Sequence, residues 1–419
     1  MAQALPCITF CRSEQHEKNV ASLSLLCDQV FVYLQKSFSA MKQILFMLAI
    51  LCAMAMNAQQ DFFAPPANSP VIGKDGSVIF KVKAPGADTV RLIIDTRLDS
   101  LMQRQGDGTW QLRLRDLEPD LYMYHYIIDG MKVLDNENAH VLRDVKNVMN
   151  TFVLDPNGDC PMAVHDVPHG DVQAVWYDSP TLGAKRRMMI YLPPGYEQSH
   201  QRYPVFYLLH GSGGDETVWL EQGRAAQVLD NLIASGAATP MIVVMPNGNV
   251  DEKAAPGMGP EGNVQPTFAH KNWMDGTFEQ SFNDIMTWVD NNYRTRANKR
   301  YRAIAGLSMG GYHSLYISAN QPDDFAYVGL FSAAINRMDQ GKSTIYNDLE
   351  AKLVTQFKQR PKLYWMGIGK DDFLYKDNVK FRELLDKNRL RYTYHESTAG
   401  HEWANWRDYL VIFTQLLFK

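Results

Sequence analysis

Two kinds of hydrophobic patterning divide the chain. Between Asp61 and Pro156 apolar residues recur with period two: Val78, Phe80 and Val82; Val90, Leu92 and Ile94; Trp110, Leu112 and Leu114; Tyr122, Tyr124 and Tyr126. Turn signals separate these runs (Lys74-Asp75-Gly76, Gly106-Asp107-Gly108, Asp129-Gly130). Alternation of this sort belongs to strands buried on one face, and the spacing predicts a small antiparallel sandwich over residues 61–156, about 90 residues in all. From Val167 onward the pattern changes. Gly170–Tyr191 reads as two edge strands, and short continuous apolar runs follow at Tyr203–Leu209, Pro240–Met245, Ala303–Ala305, Ala326–Ala334 and Leu363–Gly369. Such runs suit strands covered on both faces. Helical spacing lies between them, as in Leu220, Val228, Leu229, Leu232 and Ile233, and in Phe278, Phe282, Ile285, Met286 and Val289. Alternating strands and helices predict a doubly wound, mainly parallel α/β sheet over residues 167–419. The Gly/Pro-rich stretch Asp251–Asn272 breaks the alternation and reads as a substrate loop.

The N-terminus carries a different signal. Lys42, the apolar run Ile44–Met56 and Ala58 before Gln59-Gln60 have the layout of a secretory signal peptide over residues 41–58. The run is too short for a comfortable membrane span. Because a signal peptide should begin a protein, residues 1–40 are expected to be an over-called start, with translation beginning at Met41. Of five cysteines only Cys160 would survive cleavage, so no internal disulfide is expected.

Composition narrows the function classes. The 419 residues are 46% hydrophobic and 21% charged, ample for a large core, and the net charge of −4 argues against nucleic-acid or anionic-membrane binding. No His/Cys/Asp set has metal-ligand spacing, and no cofactor is expected.

Candidate chemistry centres on Gly306-Leu307-Ser308-Met309-Gly310, between an apolar run and a helical pattern. This is a G-x-S-x-G nucleophile elbow in its strand–turn–helix setting. Ser308 is the candidate nucleophile, and the N–H of Met309 lies where a helix N-terminus can donate to an oxyanion. A serine hydroxyl needs a base and an orienting carboxylate. Of 11 histidines, His401 follows the last predicted strand (Arg391–Glu396), while His210 begins the glycine-rich turn after Leu209 and His313 sits one turn into the helix behind Ser308. Asp371 and Asp372 both follow Leu363–Gly369, where the acid belongs, and residue spacing alone does not separate them. The turn Gly211–Gly214 offers a second oxyanion donor at the N–H of Ser212 or Gly213. Trp273, Trp403 and Trp219 are candidates for stacking on a ring of the substrate, and Trp406 is expected in the core by its helical spacing.

Taken together, YLLHGSGGDETVW, VVMPNGN, GLSMGGYHS, GIGKDDFLY and AGHEWANWRDYL resemble the esterase D-like α/β-hydrolases, and more narrowly carbohydrate esterase family 1, the feruloyl and acetyl-xylan esterases. That resemblance implies an acid at the fourth position of a G-x-x-D turn, which selects Asp372 in Gly369-Lys370-Asp371-Asp372. It also implies a secreted serine esterase acting on plant polysaccharide. Trp110, Tyr124, Tyr126, Asp129, Gly130, Asp135 and Asn138 resemble the immunoglobulin-like module of carbohydrate-binding module family 48, which implies either a sugar platform or a framework domain that shapes the cleft; the framework reading is favoured. Two alternatives remain. One is a siderophore trilactone esterase, also a sandwich joined to an esterase D-like domain, which calls for a cationic cleft. The other is a non-catalytic carbohydrate-binding protein on a hydrolase scaffold.

Overall fold

A computed structural model describes residues 69–335 and 343–419, together with Tyr33, Met41, Lys42 and Met47. The predicted start-site extension and signal peptide, residues 1–58, lie otherwise outside the described residues. The chain divides into two compact units, Met1–Ala67 and Asn68–Lys419. The second holds both the period-two region and the α/β region.

The α/β region is built on one eight-stranded sheet. Its order is Asp171–Ser179, Ala184–Leu192, Ile242–Pro246, Val205–Leu209, Arg302–Leu307, Tyr327–Phe331, Leu363–Gly369 and Thr393–Ser397. The first two strands are antiparallel to their neighbours and the rest run parallel. Only the first of the two expected edge strands is an edge. Ala184–Leu192 is interior, because Met188–Tyr191 also pair with Val243–Pro246.

The continuous apolar runs have a direct cause. In Val205–Leu209 the side chains of Tyr207 and Leu209 enter one core, with Ile304, Val328, Leu330, Phe282 and Leu315. Phe206 and Leu208 enter the other, with Ala303, Ala305, Phe331, Trp365 and Phe413. A strand covered on both faces has no polar side to keep. The helix Thr277–Asn292 buries Phe278, Phe282, Ile285, Met286 and Val289, the stripe its spacing predicts. The helix Met309–Asn320 is buried from Met309 to Ala319 and presents no polar face.

The period-two region forms two facing sheets. One has the order Val71–Ile72, Val78–Lys83, Thr109–Leu114, Gln103–Arg104; the other has Leu98–Leu101, Val90–Ile94, Asp120–Ile128, Asn147–Leu154, Val141–Asp144, with Met131–Val133 also pairing with Asp120–Ile128. Val78, Phe80, Val90, Leu92, Trp110, Tyr122, Tyr124 and Phe152 fill the space between them. Most of the residues that carry the immunoglobulin-like resemblance make contacts within the sandwich. Tyr124 and Tyr126 are fully buried, and their hydroxyls donate to Asp135 at 2.8 and 3.2 Å. Asn138 donates to Tyr124 Oη and to Thr151 O. Asp129 accepts from the N–H groups of Asp88 and Thr89.

The sandwich also packs on the hydrolase sheet. Met123 belongs to the same buried cluster as Trp219, Trp403 and Phe413, with Leu142, Met149 and Val153 against it. At this junction Arg407, 1% exposed, is held by Asp120: Nε and Nη2 each donate at 2.7 Å to the two carboxylate oxygens, and Nη2 also donates to Leu121 O. Removing one partner of a buried ion pair leaves the other charge uncompensated. Asp120→Ala is therefore expected to destabilise the folded chain by about 3–5 kcal/mol, read as a fall in the urea midpoint at unchanged slope. A midpoint within error of the parent would show that Arg407 does not depend on Asp120.

Candidate active site

The strand Arg302–Leu307 delivers Ser308 at a backbone strained for a residue with a side chain, φ 52° and ψ −111°. The flanking glycines permit the turn by their lack of bulk. A Cβ on Gly306 would come within 2.5 Å of the Gly310 carbonyl carbon and 2.7 Å of Leu209 O; one on Gly310 would collide with Leu209 O and lie 2.6 Å from His210 O. Strand, elbow and helix pack too closely there for any other residue. Met309 follows at the first helical position, where backbone N–H groups have no partner within the helix.

Ser308 and His401 line one cavity of about 750 Å³, with Ser212, Trp273, Phe268, Phe373, Trp403 and Trp406 among its other walls. His401 sits on the loop between the strand Thr393–Ser397 and the helix Trp403–Leu416. Its Nδ1–H donates to Asp372 Oδ2 at 2.9 Å. The other oxygen, Oδ1, accepts the N–H of Leu374 at 2.9 Å, and Asp372 is buried. Asp371 is exposed, and its backbone N–H donates to Ala399 O. The two aspartates that spacing leaves open are thus distinct: one faces the imidazole and one faces solvent.

The other two histidines have different work. His210 is buried; its Nδ1–H donates to Gly211 O at 2.8 Å and its Nε2 accepts the N–H of Gly248 at 2.7 Å. Burial pushes its pKa down to about 4, so it stays neutral and braces the glycine turn. His313 is buried and bonded to Glu279 Oε1 at 2.8 Å, away from the cavity. On the glycine turn Ser212 Oγ accepts from Trp273 Nε1 at 3.1 Å, so the two residues hold each other on the cavity wall.

One aromatic expectation changes and another gains a second role. Trp219 does not line the cavity. It is 1% exposed, its Nε1–H donates to Leu209 O at 3.0 Å, and its ring meets Trp403 edge-on at 5.4 Å, which makes it core. Trp406 is buried in the core as its spacing predicts, at 7% exposed, and it also lines the cavity, abutting the His401 ring edge-on at 4.9 Å. Phe373 covers the imidazole from another side, with ring centroids 4.6 Å apart. Phe268 and Phe373 are 62% and 63% exposed at the cavity wall, an arrangement that leaves two aromatic faces to solvent.

Nothing in the hydrophobic pattern signals that the sandwich reaches the cavity. Asp95, Thr96, Arg97, Met123, His125, Lys132, and the hairpin residues Asp144, Val145, Asn147 and Met149, form one end of it. Arg143 holds that hairpin down by donating to Asp215 Oδ2 at 2.6 Å. Period-two patterning reports which face of a strand is buried, and a hairpin tip over a second fold leaves no periodic signal.

The sheet order, the elbow and the helices on both faces define an α/β-hydrolase. The Esterase family matches residues 179–413, more than half of the chain, and the chain belongs to it. An endo-1,4-beta-xylanase/feruloyl esterase of Xylanibacter ruminicola is 29% identical over 380 residues, covering 86% of this chain and 48% of that protein. The chain spans about half the length of that protein and of an esterase of Mycobacterium tuberculosis that it also matches. Among solved structures, a ferulic acid esterase is 27% identical with a TM-score of 0.51, covering 59% of this chain and 98% of its own. The enterobactin esterase of Shigella flexneri, solved in the presence of enterobactin, has a TM-score of 0.58 over 82% of this chain and 92% of its own. At 17% identity that likeness speaks to the fold alone.

Proposed function

We propose that the protein is an exported serine carboxylic-ester hydrolase that removes feruloyl or acetyl groups from plant cell-wall polysaccharide. The observation that carries the reading is the shared cavity of Ser308 and His401, with the imidazole Nδ1–H on the buried carboxylate of Asp372. In this reading His401 Nε2 accepts the Ser308 hydroxyl proton as Oγ attacks the ester carbonyl. Asp372 fixes the tautomer that leaves Nε2 free and stabilises the imidazolium. The N–H groups of Met309 and Ser212 stabilise the oxyanion. His401 then protonates the departing sugar oxygen, and water repeats the sequence on the acyl-enzyme.

The acyl and glycan parts of the reading draw on the resemblance to xylan esterases and on the relatives that carry feruloyl esterase names. Trp273, Trp403, Trp406, Phe268 and Phe373 supply apolar and aromatic walls suited to a phenolic ring or a sugar face. Export rests on the layout of residues 41–58. The trilactone siderophore reading fits less well. The cavity cations Arg97, Lys132 and Arg407 are matched by Asp95, Asp144 and Glu402, and Arg407 is already neutralised by Asp120. A catecholate ligand calls for an excess of positive charge that this wall lacks.

The deciding experiment is a product assay on methyl ferulate and acetylated xylan side by side. Release of ferulate or acetate supports the reading and fixes the acyl group. No release from either substrate, with turnover of a trilactone, would reverse it.

A further inference from the structure

The loop that carries His401 is anchored unequally at its two ends. On the side of the acid the N–H groups of Lys370 and Asp371 donate to Ser397 O at 2.9 Å and Ala399 O at 3.1 Å, tying it to the turn that holds Asp372. Asn405 Nδ2 donates to Gly400 O at 2.9 Å. Immediately after His401, the side chain of Glu402 turns to the sandwich. Its Oε2 accepts the hydroxyl of Thr96 at 2.5 Å, and its Oε1 lies 3.4 Å from Arg97 Nε. Glu402 is 9% exposed, and Thr96, which follows the strand Val90–Ile94, stands 306 residues earlier in the chain.

We infer that Glu402 is a positioning residue for His401, held by Thr96, so that the sandwich sets the reach of the catalytic imidazole. This rests on the reading of Ser308 and His401 as the reacting pair. Asp372 fixes the ring's tautomer, while the rings of Phe373 and Trp406 limit its rotation. None of these fixes the backbone that carries the ring. Glu402 does so because it is the next residue, its N–H donates to Gly400 O at 3.1 Å, and its carbonyl accepts the N–H of Trp406 in the first turn of the helix Trp403–Leu416. Losing the Thr96 bond leaves a mostly buried carboxylate short of a donor, and the loop relaxes to satisfy it. A displacement of about 1 Å at a reacting group costs on the order of 10²-fold in rate. A partial displacement costs less, and the loss falls on kcat, because a small ester needs only the vicinity of Ser308 to bind.

The test uses the full chain and p-nitrophenyl acetate, with thermal melts to establish folding. Thr96→Val and Glu402→Ala are each expected to lower kcat about tenfold or more, with KM changed by less than about twofold. Glu402→Gln should keep most of the parent kcat, since its amide oxygen still accepts the Thr96 proton. The double variant Thr96→Val/Glu402→Ala should be no worse than Glu402→Ala alone, as expected of two groups acting through one contact. Parent kcat in folded Thr96→Val would overturn the inference, as would a raised KM at unchanged kcat, which would make Glu402 a substrate contact. Equal losses in the Gln and Ala variants would also overturn it. If Glu402→Ala does not fold, Thr96→Val, a near-isosteric change in the sandwich, decides the matter. A parent chain inert on every ester would bring down the hydrolase reading and this inference with it; an active parent beside an unaffected Thr96→Val would bring down this inference alone.

Discussion

Ser308→Ala is expected to lower kcat on any ester by about 10³-fold or more while leaving the melting temperature nearly unchanged. Among the described residues that line the cavity, no other hydroxyl is free to take over the attack. Ser212, the other serine on the cavity wall, has its hydroxyl engaged as acceptor from Trp273, and the hydroxyl of Thr96 is committed to Glu402. The fold should tolerate the change because the strain at this position belongs to the backbone. Ser308 already holds φ 52°, alanine meets the same penalty, and the bonds that fix the turn are main-chain: Ser308 N donates to Phe331 O at 2.8 Å, and Ala334 N and Tyr312 N donate to Ser308 O, both at 3.0 Å. Steady-state turnover of p-nitrophenyl acetate and mass spectrometry after treatment with a phosphonylating agent both check it. The parent should gain one covalent adduct and the variant none. Near-parent activity in a folded variant would remove Ser308 from the mechanism.

What the sequence made legible follows from how local each signal is. The strands Val205–Leu209, Tyr327–Phe331 and Leu363–Gly369 stand out because a strand covered on both faces must be apolar throughout. The elbow is legible because Gly306 and Gly310 leave room that no other residue would leave. His210 and His313 were separable from His401 by their places in the chain, one at the head of a turn and one within a helix. What was not legible depends on distant partners. Trp219 and Trp406 look alike in sequence, each near apolar neighbours on a helix. Leu209 O captures the ring N–H of the first, and His401 lies against the second. The contribution of the sandwich to the cavity rests on Arg143–Asp215, Thr96–Glu402 and Asp120–Arg407, pairs separated by 72, 306 and 287 residues. Charged residues at strand ends and loop tips read as solvated surface until the partner fold is in place.

The remaining large effects separate Asp372 from Asp371. His401→Ala should cost about as much as Ser308→Ala, since among the described residues the one other imidazole on the cavity is that of His125, which belongs to the sandwich end. Asp372→Asn is expected to lower kcat by roughly 10³- to 10⁴-fold, while Asp371→Asn should cost less than about tenfold. The hydrogen bonds explain the contrast. Both oxygens of Asp372 accept: Oδ1 from the N–H of Leu374 and Oδ2 from the Nδ1–H of His401. An amide has one acceptor and one donor end, so after Asp372→Asn the new NH₂ must face one of two donors. The Leu374 N–H cannot move, which turns the NH₂ toward the imidazole. The ring then accepts at Nδ1 and carries its proton on Nε2, the nitrogen that must take the Ser308 proton. The ground-state geometry is preserved and the base is lost. Asp371 meets none of these conditions, because it is exposed and its tie to the histidine loop is a main-chain bond that the substitution leaves intact. Parallel kcat and KM measurements on the two variants, with melts to match, decide the matter. A crippled Asp371→Asn beside an active Asp372→Asn would move the acid by one residue and undo the tautomer argument.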